Sequence, residues 1–161
     1  MELEFLVRKV FKEKVFMRFM GELITIVDVG DSENILRDRI RSLKNESHSN
    51  CFGTALYLLG MQNKDEFNEG LELRGKRLRR VFQHISTPVY GALALWTIKS
   101  SVFDYQDLTH AGIVTGISPT LVTHRDGMGA RIRIDDLIYE IRIHRDGGID
   151  FYVKKENYKV I

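Results

Sequence analysis

At 161 residues, 43% of them hydrophobic and 29% charged, the chain has the size and composition of one globular domain with a sizeable core. A single cysteine excludes an internal disulfide and a cysteine zinc cluster, and a net charge of +2 points to no particular class of partner. The one concentrated basic run, "RGKRLRR" from Arg74 to Arg80, has no interleaved aromatic residues and reads as a solvated helix face, so no nucleic-acid partner is expected.

The first twenty residues are broken by charge every few positions and lack the continuous apolar stretch of a signal peptide or membrane span. No membrane partner is expected. As written, the chain is expected in the cytoplasm; removal of an export segment would make it extracytoplasmic. Over residues 2–19, Leu3, Leu6, Val7, Val10 and Phe11 form an apolar stripe that predicts an amphipathic helix. "ELITIVDV", Glu22 to Val29, reads as a short strand. "DSENILRDRIRSLK" predicts a helix capped by Asp31 or Ser32, with Ile35, Leu36, Ile40 and Leu43 at helical spacing. The polar triplet Ser49-Asn50-Cys51 then runs into Ala55, Leu56, Tyr57, Leu58 and Leu59, a buried helix with the sole thiol on its first turn. A further helix is predicted over Lys64 to His84, in one or two pieces, with Gly70 and Gly75 as weak points.

After Ser86 to Pro88 the pattern changes to short extended runs. Tyr90 to Ile98, His110 to Ile117, Thr120 to Arg125, Ala130 to Ile134, Ile138 to His144 and Ile149 to Lys155 read as strands, with turns at Ser118-Pro119, Asp126-Gly127 and Asp146-Gly147-Gly148. Such short connections require antiparallel pairing, so the predicted class is α+β, helices first and an antiparallel meander after them. The expected organisation is a single domain over 1–161, with an N-terminal helical extension over 1–45 and a catalytic core over 46–161.

The position of the thiol carries the chemistry. A cysteine attacks carbonyls as thiolate, and the N–H groups at a helix N-terminus and a neighbouring histidine both favour that form. Five histidines compete for the second role: His48 precedes the cysteine helix, His84 is expected to end a helix, His110 heads the small apolar strand "AGIVTG", and His124 and His144 each open a copy of "HRDG". If 110–116 and 120–126 form a hairpin turning through Ser118, Gly112 faces His124 and His110 faces Asp126, so His110, His124 and Asp126 share one face. His124 then lies diagonally from His110, within reach of its ring. His144 belongs to a remote hairpin turn. Nucleophile, base and orienter thus have candidates in Cys51, His110 and either His124 or Asp126.

These residues resemble a known family, the NlpC-type, papain-like cysteine peptidases of bacterial cell walls. The family's Asp-Cys-Ser-Gly-like signature at a helix start is matched by Asn50-Cys51-Phe52-Gly53. Its Pro-x-x-Gly approach to a core strand is matched by "TPVYGALALW", its His-Val-Gly-Ile-like strand by "HAGIVTG", and its third polar residue by His124 at the end of "TLVTH". The glycine-rich turn and basic strand that follow resemble "DGMGARIRIDDL". The resemblance spans roughly residues 48 to 140 and implies a papain-like fold. It implies Cys51 as nucleophile, His110 as general base, His124 as orienter, and Asn50 and Phe52 lining the substrate site. Asn50 stands where the family has an acidic residue and Phe52 where it has serine. The implied activity is hydrolysis of a peptide or amide bond, of the peptidoglycan type, through a thioester, with no cofactor and no metal. Two alternatives use the same residues: an acyltransferase on the Cys–His framework, and a catalytically silent binding module.

Overall fold

In a computed structural model of the protein, residues 15–19, 22–26, 29–99, 106–137, 147–155 and 159–160 are described. The architecture is α+β: a few helices and a six-stranded antiparallel sheet. The elements are β1 (Val15–Phe19), β2 (Glu22–Ile26), α1 (Val29–Ser42), α2 (Cys51–Leu58), a 3-10 turn (Leu71–Leu73), α3 (Gly75–Val81), β3 (Phe82–Ile85), β4 (Leu93–Lys99), β5 (Gln106–Ile117), β6 (Thr120–Arg125), β7 (Ile132–Asp136), β8 (Gly147–Lys154) and β9 (Lys159–Val160). Among the described residues no helix is long and apolar enough to cross a membrane.

The front of the chain departs from the helical extension expected over 1–45. Val15–Phe19 pairs antiparallel with Glu22–Ile26, and β9 adds to the other side of β2. Residues 2–14 of the predicted helix lie outside the described residues. The reason for the strand is local: "VFMRF" and "ELITI" are rich in β-branched and aromatic residues and flank a glycine, a hairpin pattern that outweighs the apolar stripe upstream. The next helix, α1, begins at Val29, so Asp31 and Ser32 fall in its first turn instead of capping it. Leu36 is buried and Ile40 and Leu43 pack behind it, whereas Ile35 is exposed.

The predicted helix from Lys64 to His84 is confined to Leu71–Leu73 and Gly75–Val81; Phe82–Ile85 is a strand, and His84 therefore lies in β3. Gly70 and Gly75 are breaks, with φ of 71° and 51°. The stretch before them is irregular because side chains take its backbone groups. Gln62 Nε2 lies 3.0 Å from Gly53 O, 2.9 Å from Lys64 O and 3.0 Å from Glu66 O, and Asn50 Nδ2 donates to Asn68 O at 2.8 Å.

The large sheet has the order β3-β8-β4-β5-β6-β7. Its β4-β5-β6-β7 part is the expected meander. The last long strand, β8, breaks the sequence by inserting between β4 and β3. The predicted strand Ile138 to His144, and with it His144, lies outside the described residues. One face of the sheet carries Leu93, Leu95, Ala111 and Ile113 and packs on Leu56 and Ala55 of α2 and Leu36 of α1. The other carries Ala94, Trp96, Val114, Val122 and Phe151 in a second cluster. Between β5 and β6 the register runs Ile117↔Thr120 and Gly116↔Leu121, shifts by one at a bulge, and continues Val114↔Val122, Ile113↔Thr123 and Gly112↔His124.

One buried cation holds the site's surroundings together. Arg125, 0% exposed at the end of β6, points to the α2 side, the face opposite His124. Its guanidinium donates to Thr54 Oγ1 of α2 at 3.1 Å, Lys44 O at 2.9 Å, Asn45 O at 3.2 Å, Asp65 Oδ2 at 2.8 Å, and Ala130 O. Asp65 Oδ1 in turn accepts from Thr54 Oγ1 at 2.7 Å. Removing one partner of such a buried pair strands the other, at a cost of about 3–5 kcal/mol. Arg125→Ala is therefore expected to lower the unfolding free energy by about that amount. Urea denaturation measures it, and a loss under about 1 kcal/mol, the worth of an exposed pair, would contradict the role given to Arg125.

Candidate active site

The cysteine helix starts where it does because Asn50 caps it. Asn50 Oδ1 accepts from Gly53 N at 2.9 Å and from Asn68 N at 3.3 Å. With Nδ2 given to Asn68 O, the amide of this expected substrate contact is committed to joining α2 to the 62–68 loop. Gly53 is required by that same loop: a Cβ here would lie 1.9 Å from Glu66 O. Phe52, the other expected substrate contact, packs against Gly70, and the Arg74 guanidinium lies 5.7 Å from its ring centre.

Cys51 is 7% exposed and free of any disulfide. The backbone N–H groups of Ala111, Phe52 and Cys51 itself favour the thiolate form of its sulfur. Ala111 lies just past the end of the β5–β6 register, on the α2 face of the sheet. Burial pushes the thiol up from its ordinary value, the three amides pull it down, and the Asp126 carboxylate adds to the rise. The net direction is upward, against the sequence expectation that the helix start favours the thiolate. The amides are present as expected; desolvation outweighs them.

His110 and His124 meet as expected, but by way of a bulge and not through the register of the turn. His110 Nε2 lies 2.9 Å from His124 Nδ1, with the rings edge to face and their centres 4.9 Å apart. Both are buried, on the face that carries Trp96, whose ring centre is 5.0 Å from that of His110. The bulge between Val114 and Gly116 produces this pairing. Continuing the register of the turn, Ile117↔Thr120, without a shift would set His124 opposite Ile113 and turn it to the α2 face. Gly112 completes the arrangement, since a Cβ there would come within 2.5 Å of Val122 Cγ1 and 3.1 Å of His124 Cβ.

Three residues join the pair. Asp126, one of the two expected orienters, has Oδ1 3.4 Å from His124 Nδ1. Asp135 and Arg133, which the sequence reading did not single out, come from β7: Asp135 Oδ2 lies 2.9 Å from His124 Nε2, and Arg133 donates to Asp135 Oδ2 at 2.8 Å and to Asp126 Oδ2 at 2.7 Å. The two carboxylates push the Arg133 guanidinium upward from an already high value, so it is a permanent cation. Strand alternation in "RIRIDD" puts Arg133 and Asp135 on one face, but only the His124↔Arg133 register shows that this is the histidine face.

The structure thus joins His110, His124, Asp126, Arg133 and Asp135 in one polar network, and sets Cys51 one residue along β5, at the Ala111 amide on the other face. His48 is exposed, and His84 Nε2 pairs with Asp150 Oδ1 at 3.1 Å.

A buried thiol held neutral ionises later in the folded chain than in the unfolded one. Between those two values the unfolded chain has lost the proton, so stability from this group falls as pH rises above about 8.5. The iodoacetamide rate of native Cys51 is expected to climb with a midpoint above that of the same thiol in urea. A native midpoint below the unfolded one would show that the amides, not burial, control the thiol.

Compared with protein-family models, with curated sequences and with solved structures, the chain finds no match.

Proposed function

We propose that this protein is a thiol hydrolase with a papain-like arrangement, in which Cys51 is the nucleophile, His110 the general base and His124 the group that orients it. The observation that carries the reading is the 2.9 Å contact between His110 Nε2 and His124 Nδ1, one residue along β5 from Ala111, whose backbone N–H favours the Cys51 thiolate. With Nε2 turned to His124, Nδ1 is the nitrogen left for the thiol, and the reading requires the His110 ring, which lies on the Trp96 face, to reach Sγ past the β5 backbone. His124 is itself held by Asp135, so the base is oriented through two successive hydrogen bonds.

The mechanism suits a neutral resting thiol. His110 Nδ1 takes the proton from Sγ as sulfur attacks the carbonyl, so no standing ion pair is needed. The C–S bond forms and the carbonyl electrons move to oxygen. The Cys51 backbone N–H at the α2 start would favour that oxyanion. Collapse breaks the C–N bond, the amine leaves with the proton from His110, and water, deprotonated by the same ring, cleaves the thioester to the acid. The NlpC-type resemblance of residues 48 to 140 makes a peptidoglycan-type peptide the first substrate to try, in the extracytoplasmic compartment; a small peptide or amide in the cytoplasm is the alternative. An amine in place of water would make the same intermediate an acyltransferase.

A specific observation favours a second reading, a binding module without catalysis: the thiol is buried and its ionisation is suppressed. Turnover separates the two. A screen of muropeptides and short peptides should find one that is cleaved. On it, Cys51→Ser should abolish hydrolysis with little change in folding, and His110→Ala should cost about 10²–10⁴-fold in kcat. His124→Ala should slow the reaction without ending it. Wild-type turnover by Cys51→Ser would exclude the thiol mechanism, and absence of turnover across the screen would favour the binding module.

A further inference from the structure

The histidine pair is bordered by more acceptor atoms than a hydrogen-bonded dyad needs. His124 Nε2 faces a carboxylate oxygen, Asp135 Oδ2, at 2.9 Å. A carboxylate only accepts, so the ring proton of neutral His124 belongs on Nε2 and Nδ1 presents a lone pair. That lone pair looks at His110 Nε2 at 2.9 Å and at Asp126 Oδ1 at 3.4 Å. The remaining oxygen of Asp126 is taken by Arg133, which fixes the carboxylate with Oδ1 toward the ring. Two acceptors held 3.4 Å apart are stabilised by positive charge shared between them.

We propose that His110, His124 and Asp126 form a binding site for a divalent transition cation of the zinc class. One donor atom from each lies within 4.8 Å of the other two. Tetrahedral zinc with ligand bonds of about 2.0–2.1 Å sets its donors about 3.3 Å apart; the separations at His124, 2.9 and 3.4 Å, are near that, and the half-exposed Asp126 carboxylate must swing inward to shorten the remaining span to His110, which is within 4.8 Å. Two imidazoles and a carboxylate suit zinc, cobalt or iron and not magnesium or calcium. The outer shell is built as well. The Asp135–His124 contact is the carboxylate–histidine arrangement that fixes a metal-binding ring in one tautomer, and Arg133 steadies both carboxylates. Around the pair, Asp126 and Asp135 against Arg133 leave one negative charge, which attracts a cation. Asp126 has a half-exposed side chain, so the site is approached from solvent.

Coordination would also regulate the proposed chemistry, a consequence that rests on the hydrolase reading although the site does not. To bind metal, His110 Nε2 must give up its proton. In the neutral ring that proton is restored on Nδ1, so the tautomer changes with no net release. Nδ1 is the nitrogen that must be vacant to take the proton from Cys51. A bound cation therefore halts acyl transfer, and chelation restores it.

The test is titration of the full chain with cobalt(II), read by its visible ligand-field bands, and with zinc by competition against a chromophoric chelator, after folding of each variant is verified by circular dichroism. One ion per chain is expected. His124→Ala should lose it. Because His124 is fully buried and its replacement could disturb folding, Asp126→Asn carries the test: its affinity should fall at least about tenfold, and Asp135→Asn should cost about 10–100-fold and change the cobalt spectrum. Cys51→Ser should bind as wild type does. Absence of stoichiometric cobalt binding, or wild-type affinity in Asp126→Asn together with His124→Ala, would overturn the site. Zinc bound at one per chain without loss of Cys51-dependent turnover would overturn the blockade alone. Failure of the hydrolase reading would leave the cobalt titration unchanged, so the two failures are distinct.

Discussion

The structure around the candidate site depends on taking one guanidinium out of water. Arg125 has no exposed surface, and it is tolerated there because carbonyls from residues 44, 45 and 130, a hydroxyl from α2 and the Asp65 carboxylate surround it. These partners come from four segments: the loop before α2, α2 itself, the loop after it and the β6–β7 turn. A second tie reinforces the first, as Gly129 N donates to Ser49 O at 3.0 Å, two residues before the cysteine. The helix N-terminus is therefore clamped to the sheet by polar contacts at the one place where apolar packing from α2 gives way to the site.

Arg125 and His124 are neighbours in sequence, and strand alternation sends them to opposite faces. One residue secures the scaffold and the next enters the histidine network. A shift of β6 by a single position would exchange them, burying an imidazole among the loop carbonyls and sending a guanidinium beside His110. The buried charge thus penalises the wrong register far more strongly than apolar packing alone would, and the bulge between Val114 and Gly116 reconciles that register with the two-residue turn at Ser118-Pro119.

Much of this was legible in the sequence, and the boundary has physical causes. Cys51 at a helix start and β6 at its observed bounds follow from capping and alternation, both local rules; the His110–His124 contact was expected from a hairpin centred on Ser118, whereas the turn pairs Ile117 with Thr120 and the bulge restores the expected register. The α+β class follows from the same rules. What escaped depends on distant partners. The six-residue connection between β6 and β7, residues 126–131, leaves its register open, so Arg133 and Asp135 could not be placed beside His124. Arg125 looked like an ordinary strand end because three of its five acceptors are backbone carbonyls, which any sequence supplies, and the other two, Thr54 and Asp65, are distant in sequence. The 64–84 stretch has enough helix formers to read as helix, yet Gln62, Asn50 and Asn68 take its backbone groups first. β8 inserts between β3 and β4 through pairings that no turn signal announces. Near the N-terminus, Val15–Phe19 is a strand where a helix over 2–19 was expected, and it pairs with Glu22–Ile26, which falls within the strand expected over Glu22 to Val29.

The opposed effects on Cys51 connect the scaffold to the chemistry. Packing α2 tightly enough to bring the sulfur to the Ala111 amide also removes water from it, and desolvation then outweighs the amides that the same approach provides. On the proposed hydrolase reading, a site built this way holds its thiol neutral and relies on a base at the moment of attack, so its competence would rest on the tautomer and orientation of His110. Those are set by His124, and the state of His124 is set by Asp135, Asp126 and whatever positive charge lies between them. A proton shared along this chain leaves His110 Nδ1 able to accept; a cation coordinated by both rings does not. On that reading, control of the thiol would lie less in its own surroundings than on the far side of β5, where a half-exposed aspartate meets solvent.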